Sequence, residues 1–311
     1  MILVAGSANL DFVVQASHIP APGETVLGRD FKTFPGGKGA NQAIACARAG
    51  GEVTEMLLAL GNDAFAAPIE ASLTEAGVRM HIVRAADQPT GTAFICVSDD
   101  AENAITVAPG ANTCLREADL PPLAGFTHLL LQLETPVETV TAFARAARKQ
   151  QITVVLNAAP AQQLSAELLS LVDVLVVNKG ELALVSAHHG TIEQCLERID
   201  VPCVVVTLGA NGCCARVDGK FLMQDAFAVM PVDTTAAGDT FCGVLVAGLS
   251  RQLGMSEAMR RANAAGALTC TRLGAQSSIP TRAELNAFLD SRQPDTSPPE
   301  VPLSKMTREI F

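Results

Sequence analysis

The sequence contains no tryptophan and no tyrosine, so an apolar aromatic wall for a ligand would have to come from its 12 phenylalanines. Basic residues are also scarce, because 22 Lys and Arg stand against 32 Asp and Glu, which gives a net charge of −10. Nucleic acids and anionic membranes attract surfaces with excess positive charge, so this balance argues against both as partners. No apolar run approaches the length of a membrane span. We therefore expect small-molecule partners.

The nine cysteines are an odd total and contain no Cys-x-x-Cys pair. This pattern fits neither a disulfide framework nor a zinc site, so we interpret the cysteines as small buried hydrophobic residues. The first residues, Met1 to Gly6, carry no basic side chain, and the apolar run is interrupted by Asn9 and Asp11. The segment does not resemble a signal peptide, and the expected location is the cytoplasm.

The chain alternates between short apolar runs and longer stretches with helical spacing. The predicted strands, buried on both faces, are Ile2–Ala5, Val53–Leu60, Leu129–Leu133, Thr153–Leu156, Val174–Val177 and Val204–Leu208. The predicted helices are Ala40–Ala49, Phe65–Glu75, Val137–Lys149, Ala237–Arg251 and Ser256–Arg272. This alternation predicts a three-layer α/β/α fold with a central, mostly parallel sheet.

Two segments break the alternation. Residues 11–34 and 92–107 are interpreted as short strands punctuated by Pro and Gly, which predicts a small β-sheet lid. The α/β domain is then discontinuous and consists of residues 1–10, 35–91 and 108–290. A hairpin around Asp218-Gly219 is expected at an antiparallel edge of the main sheet. Residues 291–311 are expected to form a Pro-rich, poorly structured tail.

The first motif with chemical meaning is Pro35-Gly36-Gly37-Lys38-Gly39-Ala40-Asn41. A glycine cluster that opens a helix exposes unpaired backbone N–H groups to a polar ligand at close range. The spacing of a Walker A loop is absent, and no strand immediately precedes the cluster as in a dinucleotide fingerprint. The alternative is a plain tight turn before a helix.

The second motif is Asp233-Thr234-Thr235-Ala236-Ala237-Gly238-Asp239-Thr240-Phe241, which follows a predicted strand, Phe227–Val232, and leads into a helix. Small residues leave the N–H groups of the first helical turn open to an anion such as a transferring phosphoryl group. Asp239 is either a helix cap or a carboxylate that accepts a proton from an attacking hydroxyl.

A third set of polar residues follows the predicted parallel strands. In open α/β sheets, ligands bind at the carboxyl ends of the strands, so the joint placement of these residues favours a binding site. The residues concerned are Asn9, Asp11, Glu134, Asn178, Glu181 and Thr207 to Gly212.

The two glycine- and alanine-rich motifs resemble the paired signatures of the ribokinase (pfkB-type) family of carbohydrate kinases, and the similarity covers about residues 2 to 290. Supporting segments are Asn9-Leu10-Asp11, Pro22-Gly23-Glu24-Thr25, Gly110-Ala111-Asn112, Gln132-Leu133-Glu134, Asn157-Ala158-Ala159-Pro160-Ala161 and Gly274-Ala275-Gln276-Ser277-Ser278. The resemblance implies ATP-dependent phosphorylation of a pentose, in the first place D-ribose to ribose 5-phosphate.

The resemblance also implies roles for individual residues. Asp239 corresponds to the catalytic base, and Ala236, Ala237 and Gly238 correspond to the anion hole. The positions that match the family's contacts to sugar hydroxyls are Asn9, Asp11, Gly37, Lys38, Gly39, Asn41, Glu134 and Asp239. Those that match its nucleotide site are Asn178, Thr207, Gly209, Gly212, Gly238 and Asn263.

Two cations are implied as well. Glu181 matches the residue that organises Mg²⁺ through water, although Lys179 replaces the usual acidic residue beside it. The positions that match the family's K⁺ site are Asp233, Thr235, Thr269, Arg272, Gly274 and Ser278. Arg272 has only its backbone carbonyl to offer a cation. The family also forms homodimers through the lid, so a homodimer is expected here.

Two alternative functions remain open at this stage. One is a kinase of the same family for deoxyribose, fructose or a nucleoside such as pseudouridine. A nucleoside base would need an aromatic wall, for which Phe12, Phe34 and Phe94 are the candidates. The other is a non-catalytic sugar or nucleotide sensor on the same scaffold, which the presence of Asp239 disfavours.

Overall fold

The computed structural model describes residues 1–100 and 102–292. The tail predicted for residues 291–311 lies almost entirely outside these residues. Among the residues described, no helix is both long enough and apolar enough to cross a membrane.

The strands and helices follow the alternation that the sequence predicts. The strands are β1 (Ile2–Ala5), β2 (Asn9–Gln15), β3 (Phe31–Gly36), β4 (Thr54–Gly61), β5 (Arg79–Ala85), β6 (Gly91–Val97), β7 (Asn103–Ala108), β8 (His128–Leu131), β9 (Thr153–Asn157), β10 (Val174–Asn178), β11 (Cys203–Thr207), β12 (Cys213–Val217) and β13 (Lys220–Gln224). The helices are α1 (Lys38–Ile44, continued by a π-helical turn at Ala45–Ala49), α2 (Ala66–Glu75), α3 (Val137–Lys149), α4 (Ala166–Ser170), α5 (Lys179–Ser186), α6 (Ile192–Leu196), α7 (Ala237–Ser250), α8 (Met255–Thr269) and α9 (Arg282–Ser291).

The described residues form a nine-stranded main sheet in the order β13-β12-β11-β10-β9-β8-β1-β4-β5. Its strands are parallel from β11 to β5, and the β12–β13 hairpin adds an antiparallel edge. The prediction of an α/β fold with a mostly parallel sheet is therefore confirmed, as is the hairpin around Asp218-Gly219. All parallel strands end at the same edge of the sheet, which is where the polar residues of the third set lie.

Helices cover both faces of the main sheet, and β1 shows how the sequence produces this. Ile2 and Val4 pack into one hydrophobic cluster with residues of α1, α7 and α8, whereas Leu3 and Ala5 pack into a second cluster with residues of α3 to α6. Successive side chains of a strand point to opposite faces, so a continuous apolar run is what a strand between two helix layers requires.

The second sheet has four strands in the order β3-β2-β6-β7, within the described residues. It uses parts of the two segments that were predicted to form a separate small sheet. β2 follows directly from the carboxyl end of β1, and β3 ends at Gly36, immediately before the glycine cluster. The small sheet therefore begins and ends beside the carboxyl ends of the parallel strands.

The predicted strand at Phe227–Val232 is wrong, because the structure has irregular backbone between β13 and α7. Pro231 has no N–H to donate to a neighbouring strand, and the N–H of Val232 donates instead to the carbonyl of Cys270 in the turn after α8. An apolar composition alone does not make a strand where no strand partner is adjacent.

Helices α1 and α7 approach each other unusually closely, and this contact positions the residues discussed next. A Cβ placed on Gly243 of α7 would lie 2.6 Å from the Cβ of Ala45 and 2.6 Å from the carbonyl oxygen of Gln42. Only glycine tolerates such an approach. Because Asp239 lies one helical turn before Gly243, the close packing brings Asp239 against α1.

Candidate active site

Three carboxyl groups face one pocket at the carboxyl ends of the parallel strands. Asp11 is in β2, Glu134 follows β8, and Asp239 is in the first turn of α7. The pKa of Asp11 is raised to about 7. Burial is the largest cause, and the negative charges of Glu134 and Asp239 contribute the rest. The geometry shows that they share one site, because a Cβ on Gly36 would lie 2.2 Å from Asp11 Oδ2, and α1, which begins two residues later, donates hydrogen bonds to both Glu134 and Asp239.

Lys38, the first residue of α1, supplies positive charge to this pocket. The charge of Asp239 raises the pKa of Lys38 above its usual value, with smaller contributions from Glu134 and Glu181, while burial acts in the opposite direction. Lys38 is therefore protonated at neutral pH and offsets part of the negative charge of the carboxylates.

The glycine cluster brings the start of α1 against the loop after β1. Gly37 has a φ of 89°, and a Cβ on Gly39 would lie 2.6 Å from the backbone nitrogen of Ser7. The Ser7 hydroxyl donates to Glu134 Oε2 at 2.5 Å and accepts from the Gly39 N–H at 3.2 Å, and the Lys38 N–H donates to the same Oε2 at 3.2 Å. The first turn of α1 thus holds the Glu134 carboxylate through its free N–H groups.

Asn9 lies at the start of β2, opposite Gly36 of β3. Its Oδ1 accepts a hydrogen bond of 2.7 Å from Asn112 Nδ2, and Asn112 Oδ1 in turn accepts from the Ala8 N–H at 3.0 Å. Asn112 belongs to the Gly110-Ala111-Asn112 segment that supported the family resemblance. The amide of Asn9 is therefore held in one orientation with its Nδ2 left for other contacts.

The Asp239 carboxylate accepts one hydrogen bond on each of its two oxygens. Asn41 Nδ2 donates to Oδ2 at 2.9 Å, and Gln42 Nε2 donates to Oδ1 at 2.9 Å. Only 8% of Asp239 is exposed. Both donors come from α1. Because each carboxylate oxygen accepts only one of these hydrogen bonds, each keeps a lone pair for a further contact, such as with a substrate hydroxyl.

The residues predicted to form an anion hole lie at the beginning of α7. Ala236 caps this helix with a φ of 59°, a left-handed conformation that is unusual for a non-glycine residue. Ala237 and Gly238 follow as its first helical residues, and Gly238 is exposed. The Ala237 N–H donates to the Thr234 carbonyl at 3.3 Å. The next N–H, that of Gly238, lies in the first helical turn, where N–H groups have no intrahelical acceptors and carry partial positive charge, so this turn suits a phosphoryl group.

The predicted nucleotide residues lie toward the other end of the same edge. Asn178 and Glu181 cap α5 reciprocally, since Asn178 Oδ1 accepts from the Glu181 N–H at 2.9 Å and Glu181 Oε2 accepts from the Asn178 N–H at 2.8 Å. Burial raises the pKa of Glu181, and the charge of Asp239 adds to this, while the hydrogen bond from Asn178 and the charge of Lys38 oppose it. Glu181 is therefore within electrostatic range of the carboxylate pocket.

Two further predicted nucleotide residues, Asn263 and Gly212, meet at the end of β13, and Thr207 ends β11. Asn263 of α8 donates to the carbonyl of Gln224 at 3.2 Å, and Gly212 lies so close to that carbonyl that a Cβ on it would be 2.0 Å away. Gly209 and Gly212 both have positive φ in the turn between β11 and β12. The Thr207 hydroxyl donates to the Val177 carbonyl at 3.4 Å.

The residues predicted for a monovalent cation come together in one loop cluster. Asp233 Oδ1 accepts from the N–H and hydroxyl of Thr235 at 2.9 and 2.6 Å, and Asp233 Oδ2 accepts from the Gly274 N–H at 2.9 Å. The Arg272 N–H donates to the Thr269 carbonyl at 3.2 Å, whereas its guanidinium pairs with Glu284 at 2.5 Å. Ser278 is buried and donates to the Ala275 carbonyl at 2.6 Å.

Four residues of the site were not assigned a role from the sequence. Ser7 holds Glu134, and Gln42 donates to Asp239. Two further buried amides, Gln132 and Asn157, are hydrogen-bonded to Gln42. Gln42 lies in the helix that the glycine cluster opens. Gln132 and Asn157 each follow or end a buried parallel strand, which is the same positional signal that singled out Glu134 and Asn178.

The fold and the site define a class of protein. A parallel sheet flanked by helices, a buried carboxylate in the first turn of a helix and a small second sheet beside it are the parts of an enzyme that transfers a phosphoryl group to a hydroxyl. Residues 1–282 match the family model described as "pfkB family carbohydrate kinase". The chain belongs to this family of carbohydrate kinases.

Similar proteins were found both by sequence and by structure. The ribokinase of Haemophilus influenzae is 39% identical over 301 residues, which covers 93% of this chain and 98% of the relative. The crystal structure of Thermotoga maritima ribokinase matches with a TM-score of 0.86 at 36% identity, over 93% of this chain and 99% of its own. The Arabidopsis thaliana ribokinase, solved in complex with ribose and ATP, matches with a TM-score of 0.85 at 30% identity, over 92% and 97%.

Proposed function

We propose that this protein transfers the γ-phosphoryl group of ATP to D-ribose and produces ribose 5-phosphate, with Asp239 as the general base. The observation that carries the proposal is the Asp239 carboxylate, buried and held by two amides of α1. Its placement in the first turn of α7, next to Gly238, joins a proton acceptor to an anion site. The ribose and ATP in the Arabidopsis relative support the choice of substrates.

In the proposed reaction, Asp239 orients the attacking hydroxyl of the sugar and accepts its proton as the new oxygen–phosphorus bond forms. The bond between the γ-phosphorus and the bridging oxygen of ADP breaks, and ADP leaves. The N–H of Gly238 and the positive end of the α7 dipole stabilise the charge on the transferring group, and the N–H of Ala237 joins them when it exchanges the Thr234 carbonyl, its acceptor at 3.3 Å, for the phosphoryl oxygen. Asn9, Asp11, Lys38, Asn41 and Glu134 are proposed to hold the sugar hydroxyls. Gly37 and Gly39 are proposed to border the same sugar site, because both lie at the start of α1, next to Lys38.

The residues present also fit the two cations proposed as cofactors. The cluster of Asp233, Thr235, Thr269, Arg272, Gly274 and Ser278 combines one carboxylate with hydroxyl and carbonyl oxygens, a donor set that suits K⁺. Glu181 has one carboxylate oxygen engaged by the Asn178 N–H, which leaves the other for a water of Mg²⁺. When bound, Mg²⁺ would neutralise phosphate charge.

The nucleotide is proposed to lie along the carboxyl ends of β10 and β11. Asn178, Thr207, Gly209, Gly212 and Asn263 are proposed to border the nucleotide, and the first turn of α7 is proposed to receive its phosphates. Lys179 adds a positive charge at the start of α5, next to Asn178. In this proposal the phosphates lie between the nucleotide base and Asp239.

We propose that residues 11–34 and 92–107 act as a lid over the sugar, attached to an α/β domain of residues 1–10, 35–91 and 108–290. Closure would exclude water, which otherwise competes with the sugar for the phosphoryl group. Phe31 and Phe94 are each exposed by more than half and lie on one face of the lid sheet, where both rings stack on Phe12, and an apolar patch of this kind supports pairing of two lids in a homodimer. A mass equal to one chain in sedimentation equilibrium would contradict the dimer.

All nine cysteines are free thiols in the structure. Burial raises the pKa of Cys203 to about 12, and it raises that of Cys214 to about 12 as well, so these thiols are unreactive at neutral pH. Free thiols are typical of a reducing compartment, and we propose the cytoplasm as the location.

A substrate panel tests the proposed reaction directly. ADP release measured with ribose, deoxyribose, fructose, pseudouridine and no sugar should give the highest kcat/KM for ribose, and repeating the ribose assay with Na⁺ in place of K⁺ tests the cation cluster. A higher kcat/KM for another acceptor would redirect the proposal to that substrate. No turnover with any acceptor would favour the sensor alternative.

Gly238 allows a test of the anion site that separates function from folding. No atom lies within 4 Å of a Cβ placed on Gly238, and alanine favours a helix by up to about 1 kcal/mol over glycine. We expect Gly238→Ala to fold at least as well as the wild type. Its methyl group would displace the phosphoryl group by about 1 Å and lower kcat/KM for ATP by about 10²-fold.

The matched control for Gly238→Ala is Gly254→Ala, which also has open space around its Cβ and lies at the start of α8. Thermal unfolding and steady-state kinetics of both variants are the measurements. If Gly238→Ala kept the wild-type kcat/KM, the transferring group would not pass over this turn.

A further inference from the structure

A chain of buried amide side chains leads from the main sheet to Asp239. Gln42 Nε2 donates both to Asp239 Oδ1 at 2.9 Å and to Asn157 Oδ1 at 3.0 Å, and Gln42 Oε1 accepts from Gln132 Nε2 at 2.7 Å. Gln42 and Gln132 are at most 1% exposed, and Asn157 is 7% exposed. Polar side chains buried this deeply need hydrogen-bond partners. When all of the hydrogen bonds are made, the network adopts a single arrangement.

The direction of the chain is fixed at its end in the sheet. Asn157 Nδ2 donates to the backbone carbonyl of Val176 in β10 at 3.2 Å. A carbonyl only accepts, so the Nδ2 of Asn157 must face β10 and its Oδ1 must face Gln42. Gln42 then has to present its Nε2 to Asn157, and the same NH₂ group reaches Asp239.

Gln132 fixes Gln42 from the opposite side. Its Nε2 donates to Gln42 Oε1, which prevents that oxygen from turning toward the Asp239 carboxylate. The neighbouring glycine makes room for this contact, since a Cβ on Gly6 would lie 1.8 Å from Gln132 Oε1. Within the described residues, Gln132 Oε1 has no hydrogen-bond partner. The hydrogen bond donated by its Nε2 to Gln42 is therefore what fixes the position of this side chain.

The orientation of Gln42 matters because a 180° rotation of its amide would exchange a donor for an acceptor. An oxygen facing Asp239 would repel the carboxylate, which would turn away from the attacking hydroxyl. With the observed orientation, the carboxylate accepts from Gln42 on one oxygen and from Asn41 on the other. Its plane is therefore set by two points.

We propose that Gln42, oriented by Gln132 and Asn157, is a positioning residue that holds the Asp239 carboxylate in the plane needed to accept the sugar proton. The proposal rests on the proposed function, in which Asp239 is the base. It assigns to Gln132 a role that is exerted only through Gln42, since Gln132 makes its hydrogen bond to Gln42 and not to Asp239.

The test is a double-mutant cycle of Gln42→Met and Gln132→Met, chosen because methionine keeps the length of the side chain and removes both polar atoms. We expect Gln42→Met to lower kcat by about 10- to 100-fold with KM for ribose within about twofold, as for a misplaced catalytic group. Gln132→Met is expected to lower kcat less. The double variant should have the kcat of Gln42→Met alone, because Gln132 has nothing left to orient.

The matched control is Arg216→Met in β12, far along the sheet. Arg216 donates to the carbonyls of Ile199 and Val201 at 2.6 and 3.0 Å, so this variant also loses buried hydrogen bonds. It should unfold at a lower temperature and keep kcat within twofold. This separates a general loss of stability from a loss of positioning.

Two results would overturn the proposal while leaving Asp239 as the base. One is a Gln42→Met variant with wild-type kcat alongside an inactive Asp239→Asn variant. The other is a double variant whose loss in kcat is the product of the two single losses, since independent structural effects multiply. If Gln42→Met does not fold, a wild-type kcat for Gln132→Met overturns the role of Gln132. An Asp239→Asn variant with full kcat would instead remove the proposed function on which the inference rests.

Discussion

Replacement of Asp239 by asparagine should lower kcat by at least about 10²-fold, the magnitude typical of a lost general base. The amide is close to the carboxylate in size but cannot accept a proton from the sugar hydroxyl. Binding of ribose and ATP should be largely retained, because the other proposed contacts remain. Steady-state kinetics and calorimetric titration of each ligand are the measurements.

A second effect of this substitution follows from the amide chain. Asp239 accepts from Asn41 on one oxygen and from Gln42 on the other, so the Nδ2 of an asparagine would face one of these donors. Leaving one donor without its acceptor should cost about 1 to 3 kcal/mol of unfolding free energy. Asp290→Asn, on the exposed side of α9, serves as the control for the loss of one negative charge. A wild-type kcat in Asp239→Asn would remove Asp239 from the role of base.

Much of the main sheet could be predicted because its strands are short and fully buried. The bounds predicted for the first strand, Ile2–Ala5, are those observed, and the same is true of the helix Val137–Lys149. Continuous apolar runs of this length fit only a strand covered on both faces, and the third helix has one clear apolar side. These elements needed no information from distant residues.

The elements that were missed lack that simple signal. The edge strand Arg79–Ala85 alternates polar and apolar residues and is only partly buried, so no apolar run marks it. Phe227–Val232 has the opposite property, since it is apolar but has no neighbouring strand to pair with. In both cases the position relative to the sheet, which the local sequence does not contain, decides the structure.

The site was predicted in outline for a similar reason. Acidic residues after buried strands, such as Glu134, are visible in the sequence because the ends of parallel strands meet at one edge. The role of Gln42 is not visible, because it depends on a neighbour 90 residues away, Gln132, and on another 115 residues away, Asn157. A glutamine in an Ala-rich helix gives no local indication of which way its amide is turned.

The last prediction concerns Asp11, whose burial in the pocket should destabilise the unliganded protein at neutral and higher pH. Burial, with the charges of Glu134 and Asp239, raises the pKa of Asp11 from its usual 3.8 to about 7. Between these two values the folded protein holds a proton that the unfolded chain has released. The stability associated with that proton is fully present below pH 3.8 and is lost as the pH rises through about 7.

Over that interval the free energy of unfolding should fall by about 1.4 kcal/mol per pH unit, or about 4 kcal/mol in total at most. Asp11→Asn removes the titrating group and keeps the shape of the side chain. We therefore expect the variant to be as stable as the wild type near pH 4 and more stable by up to about 4 kcal/mol at pH 8. Urea unfolding of both proteins at the two pH values, without ligands, measures this difference.

Asp30→Asn is the control for the Asp11 variant, since Asp30 is exposed and lies in the segment that precedes β3. It should leave the difference between pH 4 and pH 8 unchanged. A stability gain in Asp11→Asn that is the same at both pH values would show that Asp11 is not protonated in the folded protein at pH 4 to 7. A pH-dependent gain in stability together with weaker ribose binding would show that Asp11 binds the sugar at a cost in stability. The physical reason is that a buried carboxylate near two others is favourable only when the hydroxyls of a ligand donate hydrogen bonds to it.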